Sequence, residues 1–399
     1  MRVLIIANFT HNFDEGVIDG RFTTIAEMLS EKGHDVFLMT SDYDHDIKAY
    51  RNPVKEGAYK STIIFCHEPS YKKNISLKRL YSHWVWGKNV AKKINEMGSF
   101  DVVYCAIPSF TAARNAFKIA SRYNARCIID IQDLWPEAFT MAVKTPLFHW
   151  IFYPMEKYAD SVYSKADFVI GVSDTYRDRG LKVNLKGKKG LTVYLGNDGK
   201  RFAESKEKYK IDRHDDEFWI GYIGTLGYSY DIACAIEAIA IASKKSNKKI
   251  KFIIMGRGPL KEYFEGIARD FGIYCEFTGP LQYEKMVGTL CSCDCVINPI
   301  KRGAAQSITN KVGDYALSGL PVINSQENEE YINLVNLYKC GINCECGNAQ
   351  SVAEAILRLL RNPKMVKEMG LGSKELGDER FDRTSTYQHI IRAIEYFAR

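Results

Sequence analysis

The chain has 399 residues, 46% hydrophobic and 26% charged, with a formal net charge of +7. That length and balance favour two buried cores and exclude a disordered, collagenous or disulfide-knotted chain. No run approaches the ~18 apolar residues of a membrane-spanning helix, and MRVLIIANF lacks the cleavage site of a secretory leader, so a cytoplasmic protein is expected.

In chain order, short β-branched runs alternate with amphipathic stretches. VLIIA (3–7), DVFLMT (35–40), TIIFC (62–66), DVVYC (101–105), CIIDI (127–131) and DFVIGV (167–172) read as strands. RFTTIAEMLSEKG (21–33) and SFTAARNAFKIASRYN (109–124) read as helices between them. A polar stretch from Gly196 to Glu217 reads as a linker. The alternation then resumes with FWIGYIG (218–224), KFIIMG (251–256), CVINPI (295–300) and LPVINS (320–325). This is the pattern of βαβ units and parallel sheets. It predicts two doubly wound, Rossmann-like α/β domains, residues 1–200 and 201–384, with ligands in a cleft. Residues 385–399 read as a C-terminal helix that returns to the first domain.

Charge is uneven. Residues 1–200 hold 28 Lys and Arg against 22 Asp and Glu. Between Glu68 and Glu96 there is no acid, but Lys72, Lys73, Lys78, Arg79, Lys88, Lys92 and Lys93 alternate with Tyr71, Tyr81, Trp84 and Trp86. Basic charge beside aromatics suits an anionic membrane; a solvated helix face packed on the core is the plainer alternative. The aromatic segment 144–160 offers a second such surface. Eleven cysteines without a leader argue for free thiols. Cys291, Cys293 and Cys295, and Cys340, Cys344 and Cys346, lack the C-x2-C spacing of zinc sites, so no metal is expected.

A dinucleotide-binding enzyme needs G-x-G-x-x-G after its first strand. Here Asn8-Phe9-Thr10-His11 follows instead, Gly256-Arg257-Gly258 is continued by Lys261, and there is no P-loop. The histidines suggest no general base.

Several motifs stand in one order. They are Gly16, Arg21 and Gly33-His34-Asp35-Val36; Asp130 to Glu137 (DIQDLWPE); Lys165-Ala166-Asp167 leading to Val172-Ser173; and Leu195-Gly196-Asn197-Asp198 with Phe202. Tyr222-Ile223-Gly224-Thr225, Gly256-Arg257-Gly258-Pro259 and SITNKVGDYALSGLPV (307–322) follow. In this the chain resembles the retaining GT-B glycosyltransferases of family 4, most closely a bacterial capsule and O-antigen branch with a DLWPE motif.

The resemblance implies transfer of a sugar from a nucleotide-sugar donor, UDP-linked, to a growing cell-surface glycan, polyprenyl-diphosphate-linked acceptors included. It implies retention of configuration with no metal and no cofactor, the nucleotide-sugar being a co-substrate. Peripheral attachment to the inner face of the plasma membrane accords with such an acceptor.

Donor contacts are then expected from Gly16, Gly224, Thr225, Arg257, Gly258, Arg302, Gln306, Ser307, Lys311 and Asp314. Arg21, Asp133 and Lys301 are the candidates nearest the chemistry. Residues Gly303 to Lys311 bring small side chains, the hydroxyls of Ser307 and Thr309 and a cation to a helix start, which suits a diphosphate. Lys311 is the leading phosphate cation, a surface lysine being the alternative. Asp314 is placed for ribose hydroxyls, or is a favourable first-turn charge. Two departures stand out: Gln306 replaces the first acid of the family pair, and Thr225 to Asp231 lacks the family's Arg and Lys. They leave open a non-catalytic partner subunit; the other alternative, a nucleotide-sugar 2-epimerase of the same fold, would want acidic and basic groups at the cleft, and Gln306 speaks against it.

Overall fold

A computed structural model describes residues 1–11, 13, 20–74, 76–137, 146–213, 216–304 and 308–398, with the backbone alone for 146–149. Gly16, Gln306 and Ser307 lie outside the described residues. The chain divides into two compact units, Met1–Val193 with Tyr387–Arg399, and Tyr194–Thr386.

The first unit contains β1 (Arg2–Ile6), β2 (Asp35–Ser41), the short pair β3 (Tyr43–Asp44) and β4 (Ala49–Tyr50), β5 (Thr62–Cys66), β6 (Val102–Ile107), β7 (Arg126–Ile131), β8 (Phe168–Gly171) and β9 (Gly190–Thr192). Among the described residues, seven of these form a parallel sheet in the order β5-β2-β1-β6-β7-β8-β9. Its register aligns Ile5 with Leu38 on one side and Tyr104 on the other. Alternate residues serve opposite faces: Leu4 and Ile6 enter one core, Val3 and Ile5 the other. Both faces are thus covered by helices, as an all-parallel sheet requires. Tyr387, Ile390, Ile391 and Ile394, from the helix Arg383–Phe397, are buried in the second of these cores.

The second unit contains β10 (Glu217–Ile223), β11 (Lys249–Met255), β12 (Tyr274–Gly279), β13 (Cys295–Asn298), β14 (Val322–Asn324) and β15 (Gly341–Asn343). They form a parallel sheet in the order β12-β11-β10-β13-β14-β15. Strand order reverses between β1 and β6 in one sheet and between β10 and β13 in the other. In open α/β sheets, ligands bind outside the carboxyl ends of the strands at such a reversal.

Two features differ from the sequence-based expectation. The stretch taken as linker contains the helix Gly199–Lys208, started by Asp198, whose carboxylate accepts from the Arg201 amide at 3.0 Å. It holds because Phe202 and Ser205 are buried among otherwise polar neighbours. The strands β9, β12 and β15 are additional edge-side elements, half-buried and short on continuous apolar sequence.

Candidate active site

The reversal in the second unit is built by two loops pressed together. Past β10 the Gly224 amide donates to Met255 O (3.0 Å), and the Leu226 amide to Arg257 O (2.9 Å). Gly256, at φ +154°, leaves no room for a side chain: a Cβ there would stand 1.9 Å from Gly224 O. Gly258 is as tight, with Leu226 O 2.3 Å from the place of its missing Cβ. These glycines let the backbone of one loop lie on the other. Thr225 and Arg257 are exposed on them, and no described residue pairs with the Arg257 side chain.

Lys311 is the first residue of the helix Lys311–Ser318 and is buried, with 7% of its surface exposed. Its ammonium donates to the Tyr222 hydroxyl at 3.3 Å, and that hydroxyl donates to Thr225 O at 2.8 Å. It lies over two rings, 4.4 Å from the centre of Tyr222 and 3.9 Å from that of Tyr230. A Cβ on Gly224 would come within 3.3 Å of Nζ. No carboxylate pairs with Lys311 among the described residues. Cation–π contacts of this kind return about 2 kcal/mol when desolvated, less than the several kcal/mol that burying an ion costs. Burial accordingly pulls the ammonium well below the ordinary lysine range.

Two buried atoms of this unit have no hydrogen-bond partner among the described residues. Thr309 Oγ1, two residues ahead of Lys311, is buried without a hydrogen-bond partner. Asn298 closes β13 wholly buried; its amide donates to Asn324 Oδ1 (3.0 Å) and Gln326 Oε1 (3.1 Å), leaving its own Oδ1 unpaired. The helix itself has no side-chain cap at Asn310. A buried cation, an orphaned hydroxyl and an uncapped helix start together form a place for an anion.

The other expected donor residues are differently placed. Asp314 is buried, and its Oδ1 accepts from Asn197 Nδ2 (2.8 Å) and Tyr283 OH (3.1 Å). Burial pushes this carboxyl up to about 7, against the lowering effect of those bonds and of Arg383. An acid so enclosed ties its helix to neighbouring segments. Arg302 is turned to Glu327 Oε1 (3.3 Å) and Cys346 O (3.1 Å), a bridge on the surface. Lys301 is exposed, its amide donating to Ser229 O (3.0 Å) next to Tyr230.

In the first unit, Arg21 takes a different part from the one expected. It is buried, with Nε 2.6 Å from Asp130 Oδ2, Nη2 3.3 Å from Oδ1 and Nη1 2.9 Å from Val193 O. Tyr104 OH also donates to Asp130. Burial opposes the guanidinium charge, but the carboxylate beside it more than offsets this and keeps the guanidinium charged. Arg21 therefore pins its helix to β7.

Asp133 follows β7 at the carboxyl end of the sheet, its oxygens taking the Leu134 amide and the Trp135 indole N–H, each at 2.9 Å. Burial raises its carboxyl above the ordinary range. The Trp135 ring is stacked on His83 and lies 4.7 Å from the Arg79 guanidinium carbon. Burial, with Arg79 beside it, holds His83 down at about 3, so that imidazole is neutral.

Comparison with known proteins decides what this geometry belongs to. Residues 21–198 match the domain described as Glycosyltransferase Family 4, and residues 217–362 the domain described as Glycosyl transferases group 1. The chain is a GT-B glycosyltransferase.

Similar structures span its whole length at low identity. Anabaena Alr3699/HepE in complex with UDP is 15% identical, with a TM-score of 0.69 over 99% of this chain and 100% of that one. Sucrose-phosphate synthase from Thermosynechococcus elongatus is 13% identical, with a TM-score of 0.68 over 99% and 98%. WaaG, a glycosyltransferase involved in lipopolysaccharide biosynthesis, is 14% identical, with a TM-score of 0.66 over 99% of each chain. No curated relative matches the sequence. Among the described residues of this glycosyltransferase, no helix is long and apolar enough to cross a membrane.

Within the glycosyltransferase, the structure brings Gly224, Thr225, Arg257, Gly258 and Lys311 to one reversal point. Tyr222, quoted only as part of a motif, and Tyr230 were not among the site residues expected from the sequence. Their signal was present: two tyrosines bracket the very loop that lacks the family's Arg and Lys.

Proposed function

We propose that this glycosyltransferase uses a UDP-linked sugar and that Lys311 is the cation for its diphosphate. The observation that carries this reading is the buried ammonium at the strand-order reversal of the second unit, which donates to the Tyr222 hydroxyl and has no carboxylate partner among the described residues. Family members answer diphosphate charge with an Arg–Lys pair after the first strand of that domain; here Lys311 stands against the same loop from the helix side. When donor binds, phosphate oxygens replace the missing counter-ion, and Thr309 gives its free hydroxyl to them. As the sugar leaves, charge grows on the diphosphate, and a desolvated cation acts there more strongly than in water.

The complexes of HepE with UDP and with UDP-glucose support the choice of base. We assign the reaction to retention without a metal or cofactor, a donor phosphate oxygen taking the acceptor proton, and we place Asp133 on the acceptor side. The acceptor we propose is a growing cell-surface glycan on polyprenyl diphosphate. Exposed Leu77, Tyr81 and Trp84 on the helix Leu77–Met97, with Lys78 and Lys88 beside them, support docking to an anionic membrane. Trp150 and Ile151 on the helix Pro146–Tyr163 do likewise.

Incubating the protein with UDP-sugars and a lipid-linked acceptor, with and without chelator, tests the assignment. Chelator-insensitive UDP release, with a product bond of the donor's anomeric configuration, is the expected result. Transfer only from GDP- or ADP-sugars, or an inverted product, would refute it. For the membrane, flotation with anionic liposomes is expected to carry the protein upward, and wholly unbound protein would count against docking.

A further inference from the structure

At the opposite, amino-terminal end of the first sheet lies a cavity of about 950 Å3 whose wall is strongly basic. Arg126 opens β7 and Asp167 stands just before β8, which fixes the position. Arg114 and Lys118 reach it from the helix Phe110–Ala120, Lys165 from the turn ahead of β8, and Lys186 from the loop ahead of β9. Five cations thus face one carboxylate.

That carboxylate is already occupied. Asp167 accepts from the Cys127 amide at 2.8 Å and from Lys186 at 3.1 Å, with Arg126 at 3.9 Å. Arg114 is oriented by the Tyr158 ring, 5.1 Å from its guanidinium carbon. Lys118 and Lys165 have no carboxylate partner among the described residues. Like charges around a recess with protein walls focus a positive potential into it, and mutual repulsion is relieved only by an anion. An Arg fork with several lysine ammoniums matches a multi-oxygen, phosphoryl-type charge better than a single carboxylate.

We infer that this cavity binds a phosphoryl-bearing anion, either a soluble phosphate ester or the headgroup of an anionic lipid. It is separate from the donor site, which belongs to the other unit, and from the carboxyl end of its own sheet, where Asp133 lies.

The test uses the full chain, a Lys118→Ala/Lys165→Ala variant, and a Lys364→Ala/Lys367→Ala control of equal net charge. Inorganic pyrophosphate is titrated calorimetrically at low salt, and co-sedimentation is measured with phosphatidylglycerol–phosphatidylcholine vesicles. Two cations lost from one anion site should weaken binding about tenfold or more, while the control stays within about twofold. Weaker pyrophosphate binding assigns the cavity to a soluble phosphoryl ligand. Weaker vesicle binding with unchanged pyrophosphate binding assigns it to a headgroup. If the cavity variant matches the control in both arms, or the native chain binds neither probe, the inference is overturned. Lys311→Ala, run in parallel, reports on the donor site alone, so failure of one reading is separable from failure of the other.

Discussion

The Lys311 ammonium lies 3.9 Å from the centre of the Tyr230 ring, buried and, among the described residues, without a carboxylate to answer it. An ion held in this way destabilises the free protein, and it persists where a ligand completes the site.

Lys311→Met should therefore separate stability from function. It removes a desolvated charge while keeping most of the side-chain volume, so the variant is expected to gain about 1–3 kcal/mol. Donor transfer should fall at least about a hundredfold, the loss of one charge-assisted diphosphate contact. Urea unfolding and UDP-release assays check the two halves. A less stable variant that kept its activity would remove the basis for the site.

Asp314 makes stability depend on pH with a definite sign. Burial raises its carboxyl from 3.8 to about 7 in the folded chain. Its contribution is fully present below the unfolded pKa and is lost as pH rises through about 7. Asp314→Asn keeps the acceptor for Asn197 and Tyr283 but cannot ionise. Between pH 4 and 7 the native chain should lose about 2–4 kcal/mol relative to this variant. Parallel unfolding curves across that interval would show that Asp314 does not titrate there.

Arg21→Ala leaves the Asp130 carboxylate buried without its partner. The cost expected is about 3–5 kcal/mol of stability in the first unit. Affinity for UDP, measured on the folded fraction, should stay within about twofold, since the residue touches no proposed donor group. Restoring packing with Arg21→Met/Asp130→Leu should recover much of the loss. A large fall in UDP affinity with stability intact would return Arg21 to the residues nearest the chemistry.

Adjacent glycines should fail differently. Gly224→Ala places a methyl 3.3 Å from Lys311 Nζ at φ +131°, so UDP affinity should drop about tenfold through a displaced cation. Gly256→Ala drives a Cβ against Gly224 O, and is expected to cost about 3 kcal/mol or more in folding. Thermal unfolding and UDP titration of both variants distinguish these outcomes.

Much of the architecture was legible because the strands that carry it are locally written. TIIFC at 62–66 and CIIDI at 127–131 are short runs rich in β-branched apolar residues, and they form β5 and the body of β7. The helix Gly199–Lys208 was missed because only Phe202 and Ser205 turn inward, so its composition is that of a linker. Site residues were legible as residue types and not as environments. Arg21 meets Asp130 across 109 positions, and Lys311 meets Tyr222 across 89. Such pairings are made by the sheet, and no local pattern announces whether a cation will face a carboxylate or an aromatic ring.

The central claim is that Lys311 binds a donor diphosphate. Calorimetric titration of the native chain and of Lys311→Ala with UDP, GDP and ADP, with and without chelator, tests it most directly. Micromolar UDP binding that ignores chelator is expected, with weaker binding of GDP and ADP and a loss of about tenfold or more in the variant. Equal UDP affinity in the native chain and the variant, or no nucleotide binding by the native chain, would contradict it.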